Sequence, residues 1–511
     1  MRKAAFGAGI NALVFAATIA VGFLLTPFLV RTLGKPQYDV WCVVEAVLAY
    51  FTLLDLGVAS YLMRTTARAQ AKDEIGTLNR AASASAAVFL CGSAVVLVGG
   101  GSVLFALSGR LAERAEAGGQ VGWFLAIMLV NLACLLPLSL FPAILDGLER
   151  FVWKAAVRFL FLLLRTIGMV LALRAGFGLA GVGVVVLATT LGEQAALALG
   201  CFLGRPGLRI QPWGVERRAM RDVIGAGVDA FLAMLAGRIT LQTGAILVGL
   251  MLPVGRVTDL MMAIRVTEYA KQLLRQFTTT LTPGISALEA RDDWAGIRGI
   301  FLVGTKWMVL LSVPVNVGLW CFGRPFLAAW VGPEFAVASG TSTMILAGTV
   351  TIGLLQSVAA RVLYGLGRLR WFARIALIEG AVNLLLTLLL IEPYGIVGVA
   401  VAIAVPNLLA SVVVVVHTMR VLEVPMFGYA KTCAVPLLAN VVPTTVWLAL
   451  GDPAADYGSI GLFLVAGLSP YAALIAATQV RWAPTAASPT PPAGVRVAAA
   501  VPAGCRPSGR G

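Results

Sequence analysis

Apolar residues in this chain come in long stretches with short polar joins. About fourteen of them, each roughly 18–28 residues, follow one another from Gly7 to Val480. The hydrocarbon core of a bilayer takes ~20 residues of helix to cross. Backbone groups left unpaired in lipid are costly, so stretches of this kind must be helical. The pattern predicts an all-α polytopic membrane protein with spans near 8–30, 40–63, 82–107, 121–145, 156–174, 180–204, 223–250, 257–283, 299–322, 336–360, 373–391, 395–417, 432–450 and 458–480.

A repeat runs beneath that pattern. Asp146-Gly-Leu-Glu-Arg-Phe-Val-Trp153 lies against Tyr364-Gly-Leu-Gly-Arg-Leu-Arg-Trp371, with Gly, Leu, Arg and Trp agreeing at an offset of 218. Gly178-Leu-Ala-Gly-Val matches Gly395-Ile-Val-Gly-Val at an offset of 217. Equivalent segments are separated by six spans, an even number, so the two halves are expected to share one orientation. The expected division is a six-helix lobe over 1–215, a second over 216–431, two extra helices over 432–481 and a disordered tail over 482–511. The Pro-, Ala- and Gly-rich tail holds too little apolar surface to fold. Parallel repeats place a substrate cavity between the lobes.

Composition narrows the class. Hydrophobic residues make up 59% and charged residues 12% of 511, with a mean hydropathy of +0.91, which excludes an ordinary soluble domain. The net charge of +15 does not indicate nucleic acid, because of where the charges lie. Alternate joins and the two termini carry 26 Lys and Arg, and the opposite joins carry 7. Basic joins stay cytoplasmic, so both termini are expected on the cytoplasmic side of a bacterial inner membrane, against anionic lipid heads. The seven cysteines are scattered through apolar runs and read as small buried hydrophobes, and a single histidine, His417, builds no metal centre. The basic start Met1-Arg2-Lys3 precedes too long a run for a cleaved signal, so a retained first span is expected.

Ionisable residues inside spans are expensive and are functional candidates by default. The eighth span is the richest. At 100° per residue, Arg265, Glu268, Lys271, Gln272 and Arg275 fall in an arc of ~120° and cover ~15 Å of helix. Such a stripe cannot face lipid and is expected to line a wet cavity. Glu268, one turn from Arg265, is the expected partner of that arginine until substrate arrives. The alternative is that these groups satisfy one another between packed helices, with Arg275 reaching the cytosol. Arg238, Lys306 and Arg165 are further candidate cations. Glu45, Asp55, Glu193, Asp229 and Glu379 are candidate coupling or ion-pairing carboxylates, Asp55 with a local capping role as the favoured alternative.

Thr26-Pro-Phe-Leu-Val-Arg-Thr-Leu-Gly34, then Tyr38, Trp41 and Leu54-Asp-Leu-Gly57, resemble the opening of Wzx-type polysaccharide flippases. Gly323-Arg-Pro-Phe326, Trp330-Val-Gly-Pro-Glu-Phe335 and Pro393-Tyr-Gly-Ile-Val-Gly398 continue the resemblance, which covers about residues 5–430. That family is part of the MOP exporter superfamily, with lipid II flippases and MATE drug exporters. The resemblance implies two six-helix lobes around a central cavity and alternating access that carries undecaprenyl-diphosphate-linked oligosaccharide to the outer leaflet. It also implies membrane lipids as surroundings and a polysaccharide polymerase and export machinery as partners, with no nucleic acid.

The pattern Ala263-x-Arg265-Val266-x-Glu268-Tyr269 is similar to the eighth span of lipid II flippases, where the matching arginine is implicated in diphosphate binding. That match makes Arg265 the first candidate for the diphosphate, followed by Lys271 and Arg275. The second span departs from lipid II flippases, carrying Glu45 and Asp55 where they carry a basic cluster. A lipid II flippase and a MATE-like drug exporter remain alternatives. The chain is not expected to be an enzyme. It has no long outer segment rich in catalytic side chains and no GxxxxGK[ST] nucleotide motif. No cofactor or metal is called for, and the expected driving force is a proton, a sodium ion or the membrane potential.

Overall fold

A computed structural model describes residues 2–480, apart from 56, 107, 108, 110–118, 214, 216–218, 222, 224–227, 280 and 452–454. The tail expected over 482–511 and the side chain of Asp229 lie outside the described residues. Among the described residues the regular structure is helical, without strands. The helices are α1 (Arg2–Phe51), α2 (Val58–Lys72), α3 (Ile75–Val95), α4 (Gly119–Leu138), α5 (Leu140–Gly147), α6 (Phe151–Arg174), α7 (Gly178–Gly204), α8 (Val228–Met251), α9 (Arg256–Thr279), α10 (Leu281–Glu289), α11 (Trp294–Trp330), α12 (Pro333–Ala347), α13 (Val350–Gly365), α14 (Leu369–Val421), α15 (Met426–Ala439), α16 (Val441–Leu450) and α17 (Tyr457–Val480).

Two of these are hairpins. As a straight rod, the 53 residues of α14 would reach ~80 Å, far beyond a bilayer. Gly395 interrupts the helix at φ +56° and ψ −137°, a backbone conformation open to glycine. Cross-arm contacts show the fold-back. Asn407 Nδ2 donates to Glu379 Oε1 at 2.9 Å, Asn383 Nδ2 donates to the Ala402 carbonyl at 2.9 Å, and Trp371 stacks on His417 with ring centroids 3.6 Å apart. All three pairs centre on residues 392–394. In α1, Gly34 (φ +74°) plays the same part. Thr26 and Glu45, 19 residues apart, both reach the guanidinium of Arg265.

The expected span 8–30 and the first part of 40–63 are therefore two arms of one hairpin, as are 373–391 and 395–417; the end of 40–63 belongs instead to α2. Other spans break where proline or a polar residue interrupts the hydrogen-bond ladder. Ser139 separates α4 from α5 beside Pro137, and Asn440 separates α15 from α16 between Pro436 and Pro443. Ten described helices are long and apolar enough to cross a membrane, among them α1 and α14. The polar helix α9 falls outside that set, as does α8, of which the stretch Gln242–Met251 counts as a shorter apolar helix among the described residues. Counting each hairpin twice and adding α8 and α9 fits fourteen crossings.

Three large apolar clusters, and a small one around Ala263, Leu346 and Ala400, hold the helices together. One joins α2, α3, α5 and α7, and a second joins α10, α11, α13 and the far end of α14. The third links both halves of the sequence, running from Leu29–Leu48 in α1 through α4 and α7 to α8, α9 and Trp330. Its packing is uneven. Tyr38–Val44 and Val257–Leu260 are buried, whereas no residue from Glu268 to Gln276 is. The halves thus meet tightly at the Gly34 and Gly255 turns and part toward the Thr279 end.

Candidate functional site

Arg265 sits where tight packing gives way to that gap. Its Nη1 donates to Thr26 Oγ1 at 3.2 Å, its Nη2 lies 3.6 Å from Glu45 Oε2, and its guanidinium stands 5.7 Å from the Tyr38 ring centroid. Thr26 is on the first arm of α1, and Tyr38 and Glu45 are on the second. The hairpin therefore builds one side of the site and α9 supplies the cation. Glu45 is telling: Val43, Val44, Ala46 and Val47 around it are buried, yet its own side chain is 45% accessible. A carboxylate on a packed intramembrane helix stays exposed only beside water. Arg265, 25% accessible, faces the same opening.

The expected Arg265–Glu268 pair does not form. Glu268 turns to Lys271, one turn along α9, at 3.3 Å. Arg265 instead meets a carboxylate across the gap. Lys271 is also within electrostatic reach of Glu379, whose carboxylate is held by Asn407. The gap is thus lined by alternating charges, less purely basic than the α9 stripe alone. Arg275 is exposed, and Arg238 donates to Thr52 Oγ1 at 3.3 Å; neither has a carboxylate partner among the described residues. Lys306 is half-buried on α11. The structure therefore brings Arg265, Lys271, Glu45, Glu268 and Glu379 around one opening, with Arg275 continuing the α9 face.

Arg165 does not join them. Its Nε and Nη2 donate to Thr189 and Thr190, both at 3.1 Å, and Nη2 is 3.8 Å from Glu193. Arg158 approaches the same carboxylate at 3.9 Å. This is a network within α6 and α7, closed on itself. Asp55 accepts a hydrogen bond from the Ala59 amide at 3.1 Å and ties down the start of α2, the local role foreseen as the alternative.

One cluster was not foreseen. At the closed end, Asp39, 5% accessible, accepts hydrogen bonds from the Gly255 amide at 2.6 Å, the Thr258 amide at 2.7 Å and the Thr258 hydroxyl. Lys35 Nζ meets Asp259 Oδ1 at 2.8 Å, and Arg256 lies 3.6 Å from the same carboxylate. Lys35 also lies 4.2 Å from the ring centroid of Phe335, and Trp330 stacks on Phe23 while donating to its carbonyl at 2.9 Å. These contacts clasp the α1 hairpin to the N-terminus of α9, where a carboxylate is favoured by exposed amides. Tyr38-Asp39-Val40 and Thr258-Asp259-Leu260 stand 220 residues apart, and that spacing was a signal the sequence offered.

The chain matches no protein-family model. It is 28% identical over 158 residues to the probable low-salt glycan biosynthesis flippase Agl15 of Haloferax volcanii, a match covering 31% of this chain. The matched part spans 33%, about a third, of that relative's length. Among solved structures, the lipid II flippase MurJ in an inward closed conformation superposes with a TM-score of 0.71 at 12% identity, covering 92% of this chain and 98% of the other. A multidrug resistance MATE family transporter of the MOP superfamily, inward-facing, superposes with a TM-score of 0.66 at 14% identity, covering 81% of this chain and 98% of the other. Ten membrane-length helices and these superpositions over nearly the whole length show a multi-pass membrane protein with the fold shared by MurJ and the MATE transporters.

Proposed function

We propose that this chain is a flippase, a transporter rather than an enzyme, for undecaprenyl-diphosphate-linked oligosaccharide. In this reading it is of the Wzx type and works in a bacterial inner membrane with both termini cytoplasmic. A polysaccharide polymerase and export machinery would consume its product. The observation that carries the reading is Arg265, a cation held by Thr26, Tyr38 and an accessible Glu45 at the head of a charge-lined gap. An oligosaccharide head cannot cross hydrocarbon, since each unpaired hydroxyl costs ~4–8 kcal/mol in alkane. A wet, charged path past an arginine suits a diphosphate, whose oxygens match the guanidinium fork.

Lobes 1–215 and 216–431 would rock about this site. Support for the duplication comes from residues with positive φ, which recur at nearly constant spacing: Gly34 and Gly255, Asp73 and Asp292, Glu149 and Gly367, Gly178 and Gly395, Gly207 and Glu423. Contacts across the interface reciprocate as a two-fold requires. Lys35 reaches Asp259 while Gly255, its counterpart 220 residues on, reaches Asp39. By the same spacing Glu45 and Arg265 are counterparts, and they meet each other, so they lie at the pseudo-axis. Coupling would use Glu45, released from Arg265 when the diphosphate displaces it; Glu268 and Glu379 are further carriers for a proton or sodium ion.

The test is transfer of a fluorescent polyprenyl-diphosphate oligosaccharide in liposomes holding the full chain. Arg265→Ala is expected to slow transfer by about tenfold or more, with Arg265→Lys intermediate. Unchanged transfer by a folded Arg265→Ala protein would reject the reading. A second reading, a MATE-like exporter of cations, draws on the carboxylates Glu45, Glu268 and Glu379 around the same opening. It predicts efflux of a cationic dye that Glu45→Gln abolishes.

A further inference from the structure

A second cavity, of about 860 Å³, opens between α11, α12 and α16. It lies at the clasped end of the bundle, since its wall residue Ala336 follows Phe335, the ring beneath Lys35. Trp320, Met344, Trp447 and Leu448 give it apolar walls, and Arg324 is its charged lining residue. Both indole N–H groups are already spent: Trp320 donates to the Met344 carbonyl at 2.9 Å and Trp447 to the Phe463 carbonyl at 2.7 Å. Thr444 donates its hydroxyl to the Asn440 carbonyl at 2.8 Å. The donors left for a guest are those of Arg324.

Arg324 is placed rather than loose. A Cβ on Gly340 would stand 2.7 Å from Arg324 Cγ and 2.9 Å from Nε, so the bare glycine is what lets the side chain lie along α12. One Nη2 donor goes to Thr341 Oγ1 at 3.3 Å. Arg324 is exposed, and no carboxylate pairs with it among the described residues. A guanidinium carries five N–H donors and accepts nothing, so its complement is an anion with several oxygens. The Trp320 indole and Leu448, both exposed, reject a fully hydrated ion and favour carbon. Exposed Trp320 on the cavity wall is of a residue type enriched at membrane boundaries. A ligand meeting both demands has a phosphate head and a hydrocarbon chain.

We propose that this cavity binds the phosphate or diphosphate head of a membrane lipid. Arg324 takes the phosphate oxygens, and Trp320, Met344 and Leu448 hold the first carbons of the chain. The site is separate from Arg265. On the flippase reading, and resting on it, the occupant is the diphosphate carrier after its head has crossed, held at the far leaflet before release.

The test is photo-crosslinking of the full chain, purified in detergent, with farnesyl diphosphate carrying a benzophenone on its tail, followed by peptide mapping. Adducts are expected on 317–328 and 444–451. Arg324→Gln should lower them about tenfold and Arg324→Lys should retain most. Unlabelled farnesyl diphosphate should compete and farnesol should not. Competition by phosphatidylglycerol as strong as by farnesyl diphosphate would support a phosphate-head site and assign it to bulk lipid. Equal labelling by a benzophenone-tailed farnesol, or labelling untouched by Arg324→Gln, overturns the proposal. Arg265→Gln should leave these adducts in place. Failure here therefore leaves the flippase reading standing, and loss of transfer in Arg265→Ala leaves this site standing.

Discussion

Arg265 keeps one carboxylate across the gap, and Glu45 is accessible enough to be traded for a substrate anion. The pair is long, at 3.6 Å, and Glu45 is partly solvated, so an incoming anion competes with a loosely held carboxylate. Glu45→Gln should therefore tighten binding of a polyprenyl-diphosphate glycan by about threefold to tenfold while slowing its transfer. Equilibrium binding and liposome transfer measured on one preparation check this; weaker binding would contradict it. The arginine was legible in the sequence, because a charge in an apolar run announces itself. Its partner was not. Glu268 is nearer in sequence, but it sits i+3 from both Arg265 and Lys271 and goes to the lysine, whereas Glu45 reaches Arg265 only through the fold-back of α1. Asp39 escaped notice for the same reason, since its donors lie more than 200 residues away.

Hairpin glycines decide whether the long helices fit a bilayer at all. The repeat Gly178/Gly181 and Gly395/Gly398 stood out as a motif, and the structure gives each member a task. Gly178 and Gly395 take φ of +57° and +56°. A Cβ on Gly398 would fall 2.1 Å from the Leu390 carbonyl oxygen, and one on Gly181 would fall 2.4 Å from Phe177 Cβ. Gly398→Ala should destabilise the fold by about 1–3 kcal/mol, seen as a lower melting temperature in detergent. Gly461→Ala, with open space around it, should change little. Apolar length showed where most helices run, though α2 ends at Lys72 against an expected 63 and α11 at Trp330 against 322. It did not show that 2–51 and 369–421 continue as helix through their turns, because a single glycine breaks the path without breaking the apolar pattern.

At the scale of the molecule, one end of the interface is closed and the other parted, and on the proposed flippase reading transport requires the reverse state as well. Val43 and Gly249 report on the closed end. A Cβ on Gly249 would lie 3.8 Å from that of Val43, a separation suited to a disulfide. Val43→Cys with Gly249→Cys, in a protein whose Cys42 is changed to Ser, should cross-link under mild oxidant and stop transfer until reductant is added. Continued transfer by the oxidised protein would show that this end never parts. The 217–218 offsets led to the expectation of two lobes, while the direction of closure was not legible, since it is written in polar contacts between distant turns.

On the proposed duplication, the meeting of Glu45 with Arg265 has a consequence for how such a chain arises. Two identical subunits joined about an axis would set the same residue against itself there, acid facing acid or base facing base. Once the copies share one polypeptide, each can drift alone, and opposite charges become available at that point. The seam then carries a built-in electrical direction, pointing from one half to the other, which a symmetric homodimer could never possess.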